Sequence, residues 1–372
     1  MARVEAVIAY PRRRLPRGLL RAVGRVLVPL LTRTQITGME HFPVSGPLIV
    51  VGNHIATMEV VLMVVYAPWQ LEMLGAGDIA APPPMDAISR LYGFIPVNRG
   101  NLDRTALTMA LSVLRQGGIL GLFPEGGIWD PGAMEAKRGV AWLSYHAGAP
   151  ILPIGFGSPD GALRDTLRLR RPPLSMTVGK LMPPVDLPKG SPRHEGLQRA
   201  AGEILSAVDH LIPEPFRQRR LAIVDERFDL GLAVKDAAGQ LVIIPPSLTI
   251  AHSDELCKVF YRPAILRIFA KDLHMPVAAL QHLDQDPSPE ALVSALTPIL
   301  QYITDQNPGF FPYRFGTAGG IAMGAGLREL HALASWARDA GHSMQIRPTR
   351  RYRREGQSEE IVELMPENAH VW

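Results

Sequence analysis

An imidazole and a carboxylate stand five residues apart at the end of an apolar run. Leu48, Ile49, Val50 and Val51 are followed by Gly52, Asn53 and His54, and Glu59 opens a second apolar run that resumes at Val60. A histidine whose tautomer and orientation are held by a carboxylate is a general base. Five residues along a straight helix separate two side chains by roughly 140°, so this pair can meet only if His54 lies in the turn before a helix. The residues allow it: the four apolar residues read as a buried strand, Gly52 and Asn53 end it, and Thr57 is placed to cap the helix that follows. Junctions at the carboxyl ends of strands are where open α/β sheets keep their chemistry. The plainer reading of the same pair is a buried histidine satisfied by a nearby acid.

Two later stretches repeat the arrangement of an apolar run delivering polar residues into a turn. Ile95, Pro96 and Val97 run into Arg99, a side chain suited to holding a phosphate or carboxylate, or an ordinary surface arginine. Ile119 to Phe123 runs into Pro124, Glu125 and Gly126, a carboxylate flanked by a backbone-permissive residue at a strand end. Helical patterns lie between them: Val60–Tyr66, Met85–Tyr92, Leu102–Gln116 and Lys137–His146, with further strands at Pro150–Phe156 and Leu174–Gly179 and a helix over Gly196–Leu211. Strand alternating with helix predicts an α/β fold with a largely parallel central sheet flanked by helices. Pro213 to Arg220 reads as a linker, so the expected division is residues 1–33, 34–215 and 216–372. The last part reads as a smaller α+β C-terminal domain, with a hairpin over Phe228–Ile244, helices over Ala291–Thr304 and Leu327–Ala340, and strands over Met344–Arg350 and Glu360–Met365. Phe310, Phe311, Tyr313 and Phe315 form an aromatic cluster expected to pack onto the first domain, with a membrane-dipping loop or part of an acyl pocket as the other readings.

The 372 residues carry 20% charged and 47% hydrophobic side chains, which excludes general disorder and allows a large core. The single cysteine, Cys257, excludes an intramolecular disulfide and a cysteine-rich zinc site, and His252, His274 and His282 lack metal-cluster spacing, so no metal is expected. No secretory leader and no run of about 18 apolar residues is seen. The net charge of +4 is unevenly spread: seven arginines and no acid lie between Pro11 and Arg33, interleaved with leucines and valines. That pattern is a basic amphipathic helix for an anionic membrane surface, or a helix packed on the domain with its arginines in water. Nucleic acid is not expected as a partner, because no binding motif accompanies the charge. A Gly-x-Ser-x-Gly elbow, a Gly-x-Gly-x-x-Gly loop and a Walker A sequence are all absent, which disfavours serine hydrolase, dinucleotide and P-loop chemistry.

Four blocks stand in fixed order: Asn53-His54-x4-Glu59, Gly93 to Arg99, Phe123-Pro124-Glu125-Gly126, and Ala149 to Ile154. This set resembles the glycerolipid acyltransferase family, the 1-acylglycerol-3-phosphate (lysophospholipid) acyltransferase type, over residues 30–215. The resemblance implies an O-acyltransferase of phospholipid biosynthesis, peripheral on the cytoplasmic face of the cell membrane without a transmembrane helix. His54 would be the catalytic base oriented by Glu59, and Asn53, Arg99, Glu125 and Gly126 would bind substrate. The implied donor is acyl-CoA or acyl-acyl carrier protein, the acceptor a lysolipid, and no cofactor is implied.

Two positions depart from the family pattern. Glu59 stands where the family has Asp, and Gly127-Ile128-Trp129 stands where it has Thr-Arg-Ser. The missing arginine points to an acceptor that depends less on a phosphate, such as a glycolipid or another lipid alcohol, unless Arg99 or the basic run Arg164–Arg171 compensates. The Glu59 substitution also motivates a different class of function, a catalytically inactive relative that binds lipid or acyl carrier. A thioesterase using water as acceptor is a third.

Overall fold

The computed structural model describes residues 8–54, 57–77, 83–98, 103–125, 137–159, 161–187, 192–217, 223–261, 265–266 and 268–364. Its first half is built on a seven-stranded sheet. The strands are β1 (Arg33–Thr37), β2 (Leu48–Gly52), β3 (Glu72–Ala76), β4 (Ile95–Val97), β5 (Ile119–Leu122), β6 (Ile151–Gly157) and β7 (Pro173–Val178). Their order across the sheet is β1-β7-β6-β2-β5-β3-β4. The five strands from β6 to β4 are parallel, β7 is antiparallel to β6, and β1 runs with β7. The largely parallel sheet expected from the sequence is therefore present. It also holds two strands, β1 and β3, that apolar patterning did not single out.

Helices cover both faces. β2 is buried at every position, and its alternate residues enter different cores. Ile49 and Val51 pack with Leu120, Leu122 and the helices α4 (Arg104–Arg115), α5 (Gly139–Ala147) and α7 (Arg193–Asp209). Leu48 and Val50 pack with α2 (Met58–Tyr66) and with residues of α1 (Arg14–Leu31), α3 (Pro83–Tyr92) and α6 (Ala162–Leu167). Burial on both faces explains why β2, β5 and β6 are continuous apolar runs with no alternation. Asp103 caps α4 by accepting the Ala106 N–H at 2.9 Å. Thr57 occupies the N-cap position of α2 but makes no side-chain cap bond there, so the turn before α2 is held by other groups.

The second sheet has the order β10-β9-β8, with β8 (Ile223–Lys235), β9 (Ser343–Arg354) and β10 (Ile361–Leu364) all antiparallel. The hairpin expected over Phe228–Ile244 is only a short one. Asp236 closes the turn by accepting from Ala238 and Gln240, and beyond it Leu241 bridges Lys235, whereas β8 pairs along its length with β9. Helix Ser253–Tyr261 packs on β8, and with helices Pro289–Gln301 and Thr317–Asp339 it shares one apolar cluster with this sheet. Phe310 and Phe311 are buried in that same cluster, not against the first sheet; Tyr313 reaches across, its carbonyl 3.4 Å from Lys137 Nζ.

Candidate active site

Parallel pairing brings the ends of β2 and β5 to one edge of the sheet. Val51 pairs with Leu122, and His54 and Glu125 each lie three residues beyond that pair. The chain leaves β2 through Asn53, whose buried amide does the work of a peptide group. Its Nδ2 donates to the Phe156 carbonyl at 3.0 Å, and its Oδ1 accepts the Phe156 N–H at 2.7 Å. The β2–β6 ladder is thus continued by a side chain after the β2 backbone has turned away. Gly52 is required beside it, because a Cβ there would lie 2.5 Å from the Phe156 ring.

His54 is fixed from below by β5. Its backbone N–H donates to Glu125 Oε2 at 2.9 Å, and its ring stacks on Phe123 with centroids 4.3 Å apart and planes 19° from parallel. Glu59 is buried in the first turn of α2, where the helix dipole favours negative charge. Its Oε2 lies 3.6 Å from His54 Nδ1, and the histidine side chain keeps 17% of its surface exposed. That separation is a few tenths of an ångström beyond a hydrogen bond. The turn before α2 therefore brings together the two groups whose spacing along a straight helix would have kept them apart.

The other residues expected at the site divide. Asn53 and Glu125 are there, but both are buried and both engage backbone groups. Arg99 and Gly126 lie outside the described residues. The stacking of Phe123 on His54 is not foreseen in the sequence; its signal is the position of Phe123 at the end of an apolar run, directly before Pro124 and Glu125. Among the described residues no group of three or more His, Cys, Asp or Glu is placed to share a metal ion. A cavity of about 290 Å³ in the C-terminal half, lined by Asp229, Leu232, Ile244, Thr249 and Asp254 among others, shares no residue with the His54 turn.

Residues 33–157 match the Acyltransferase family model. Over 122 residues the chain is 29% identical to the 1-acyl-sn-glycerol-3-phosphate acyltransferase of Borreliella burgdorferi, a stretch covering 32% of this chain and 49% of that one. Over 130 residues it is 28% identical to the human 1-acyl-sn-glycerol-3-phosphate acyltransferase alpha, covering 34% and 46%. The chain thus spans about half the length of the curated relatives it matches. Among solved structures, the 1-acyl-sn-glycerophosphate (LPA) acyltransferase PlsC of Thermotoga maritima is similar at 18% identity, over 55% of this chain and 83% of that one, with a TM-score of 0.40.

Proposed function

We propose that the chain is an O-acyltransferase of the glycerolipid type, moving a fatty acyl group from a thioester to a lipid hydroxyl, a reading supported by the match of residues 33–157 to the Acyltransferase family model. The observation that carries the proposal is the His54–Glu59 pair, 3.6 Å apart at the carboxyl edge of a parallel sheet. Glu59 faces Nδ1, so proton transfer falls to Nε2. Nε2 takes the acceptor hydroxyl proton as the oxygen attacks the thioester carbonyl. The tetrahedral intermediate then expels the thiolate, the C–S bond breaks, and the imidazolium returns the proton to sulfur. The carboxylate holds the ring and balances the charge it carries between the two transfers. No covalent acyl-enzyme is required.

The donor in this reading is acyl-CoA or acyl-acyl carrier protein, and the acceptor is a lysophospholipid or a related lipid met at a membrane surface. The absence of arginine at Gly127-Ile128-Trp129 favours an acceptor that does not rely on a phosphate contact.

The test is acyl transfer by the purified protein from an acyl thioester to lysophosphatidic acid, lysophospholipids and glycolipid acceptors, with His54→Ala alongside. Acceptor-dependent thiol release that is lost in His54→Ala supports the proposal. A folded wild type as inert as the variant towards every acceptor supports the lipid- or carrier-binding reading, and free fatty acid as sole product supports a thioesterase. Preference for lysophosphatidic acid over glycolipids would reject the phosphate-independent acceptor.

A further inference from the structure

The two halves of the chain, residues 8–217 and 223–364, have separate interiors. Among the described residues no sheet and no apolar cluster contains members of both. Whatever one half does to the other passes through contacts at their surfaces, and one such contact falls beside the catalytic turn. Lys137 makes it from the first half, at the start of the chain that leads into α5. Its backbone N–H donates to the Pro124 carbonyl at 2.8 Å, which ties Lys137 to the peptide between Pro124 and Glu125. Glu125 in turn accepts the His54 N–H at 2.9 Å. The half-buried Lys137 side chain points the other way, out of the first half. Its Nζ donates to the Tyr313 carbonyl at 3.4 Å and lies 5.1 Å from the centroid of the Tyr313 ring. At that distance an aromatic face attracts an ammonium.

The C-terminal side of this contact is held firmly. Tyr313 belongs to the short helix Phe310–Phe315, and its carbonyl lies in the last turn, where a helix favours a cation. Phe310 and Phe311 anchor that helix in the C-terminal core, Phe310 stacking on Phe269 with centroids 5.1 Å apart. Gly320 seats it directly on helix Thr317–Asp339, because a Cβ at Gly320 would lie 2.2 Å from the Pro312 nitrogen. The carbonyl that Lys137 meets is therefore fixed relative to the whole C-terminal core.

We propose that Lys137 is a positioning residue through which the C-terminal half holds the turn that aims His54. The links are the Tyr313 carbonyl to Lys137 Nζ, the Lys137 N–H to the Pro124 carbonyl, and the Glu125 carboxylate to the His54 N–H. Each is a hydrogen bond, and the last two act on adjoining residues, so a shift at Lys137 is passed to the backbone that carries the imidazole. Lys137 acts through Glu125 and not on the substrate. The C-terminal half thereby takes part in ordering the site although it supplies no reacting group. The kinetic consequence rests on the reading of His54 as the base; the ordering of the His54 turn is measured without turnover.

The test is hydrogen–deuterium exchange of the full-length wild type, Lys137→Met and Lys137→Arg, read on peptides spanning residues 48–54 and 119–125, with kcat and KM for acyl transfer measured alongside. Lys137→Met keeps the backbone bond to Pro124 and most of the side-chain length but removes the ammonium. It is expected to speed exchange in both peptides about threefold or more, and to lower kcat by a similar factor with KM little changed. Lys137→Arg keeps a cation at the Tyr313 carbonyl and is expected to stay within about twofold of wild type on both readouts. Should Lys137→Met fail to fold, Tyr313→Leu, which strips the ring from the other side of the contact, is read in its place with the same direction expected. Unchanged exchange in the folded variant would overturn the inference, as would acceleration in Lys137→Arg equal to that in Lys137→Met, or a raised KM at unchanged kcat. A wild type that transfers acyl groups to no acceptor, with exchange still accelerated in Lys137→Met, would remove the enzymatic reading and uphold this one.

Discussion

Glu125 reaches the backbone of His54: its Oε2 accepts the His54 N–H at 2.9 Å from a fully buried position. A carboxylate expected to bind acceptor thus holds the turn that aims the imidazole. Glu125→Ala is expected to lower kcat about tenfold or more with KM for the acceptor little changed, because misplacing a reacting group costs rate and not ground-state binding. Glu125→Gln keeps an acceptor oxygen and should recover most of the loss. Steady-state kinetics with varied acceptor decides between the roles, since a raised KM at unchanged kcat would return Glu125 to acceptor binding.

Asn53 is expected to matter for stability first. Asn53→Ala strips both partners from the buried Phe156 N–H and C=O. Each abandoned buried group costs about 1–3 kcal/mol, so a loss of roughly 3 kcal/mol in chemical unfolding is expected. A change below about 0.5 kcal/mol would contradict the splice between β2 and β6.

The Arg17–Glu72 pair is the internal anchor of α1. Arg17→Ala leaves Glu72 buried with Arg12 as its remaining ionic partner, and removal of one member of a buried pair costs about 3–5 kcal/mol. Replacing both with methionine should cost clearly less than either single removal. A double-mutant cycle in urea measures this, and additive losses would refute it.

The same pair shows what the sequence could and could not disclose. β2 and β5 were legible because burial on both faces makes them apolar throughout, and the groups they deliver, His54 and Glu125, follow directly. β3 was not, because it opens with Glu72, a residue tolerated in a buried strand through Arg17 and Arg12, 55 and 60 residues earlier in the chain. Periodicity marked two faces on α1 but not which one turns inward; that depends on carbonyls at Val65, Ala67, Tyr92 and Gly93, which no local pattern reports. β8 was given a hairpin partner because its long pairing is with β9, more than a hundred residues away. At the site, the types and order of His54, Glu59 and Glu125 were readable, whereas the stacking of His54 on Phe123 and the backbone duties of Asn53 and Glu125 exist only once neighbouring strands align.

Cys257 offers a separate check on the C-terminal core. Burial, with Asp254 and Asp229 adding to it, pushes its thiol up to about 12. The thiolate is the reactive form, so the native protein should resist alkylation at pH 8 and react readily once unfolded. A folded-state pKa above the unfolded one favours the native state below the unfolded value and fails to do so as pH rises through the folded one; this contribution is therefore lost towards about pH 12. Fast labelling of the folded chain at pH 8 would show the core around Asp229 to be open.

The most direct measurement is the rate of acceptor-dependent acyl transfer by wild type, His54→Ala and Glu59→Gln, each shown to be folded. Removal of the base is expected to cost about 10²–10⁴ in kcat, and Glu59→Gln a large share of that, because the ring loses the carboxylate that holds it and balances its charge. Undiminished transfer by His54→Ala would contradict the assignment of His54 as the base.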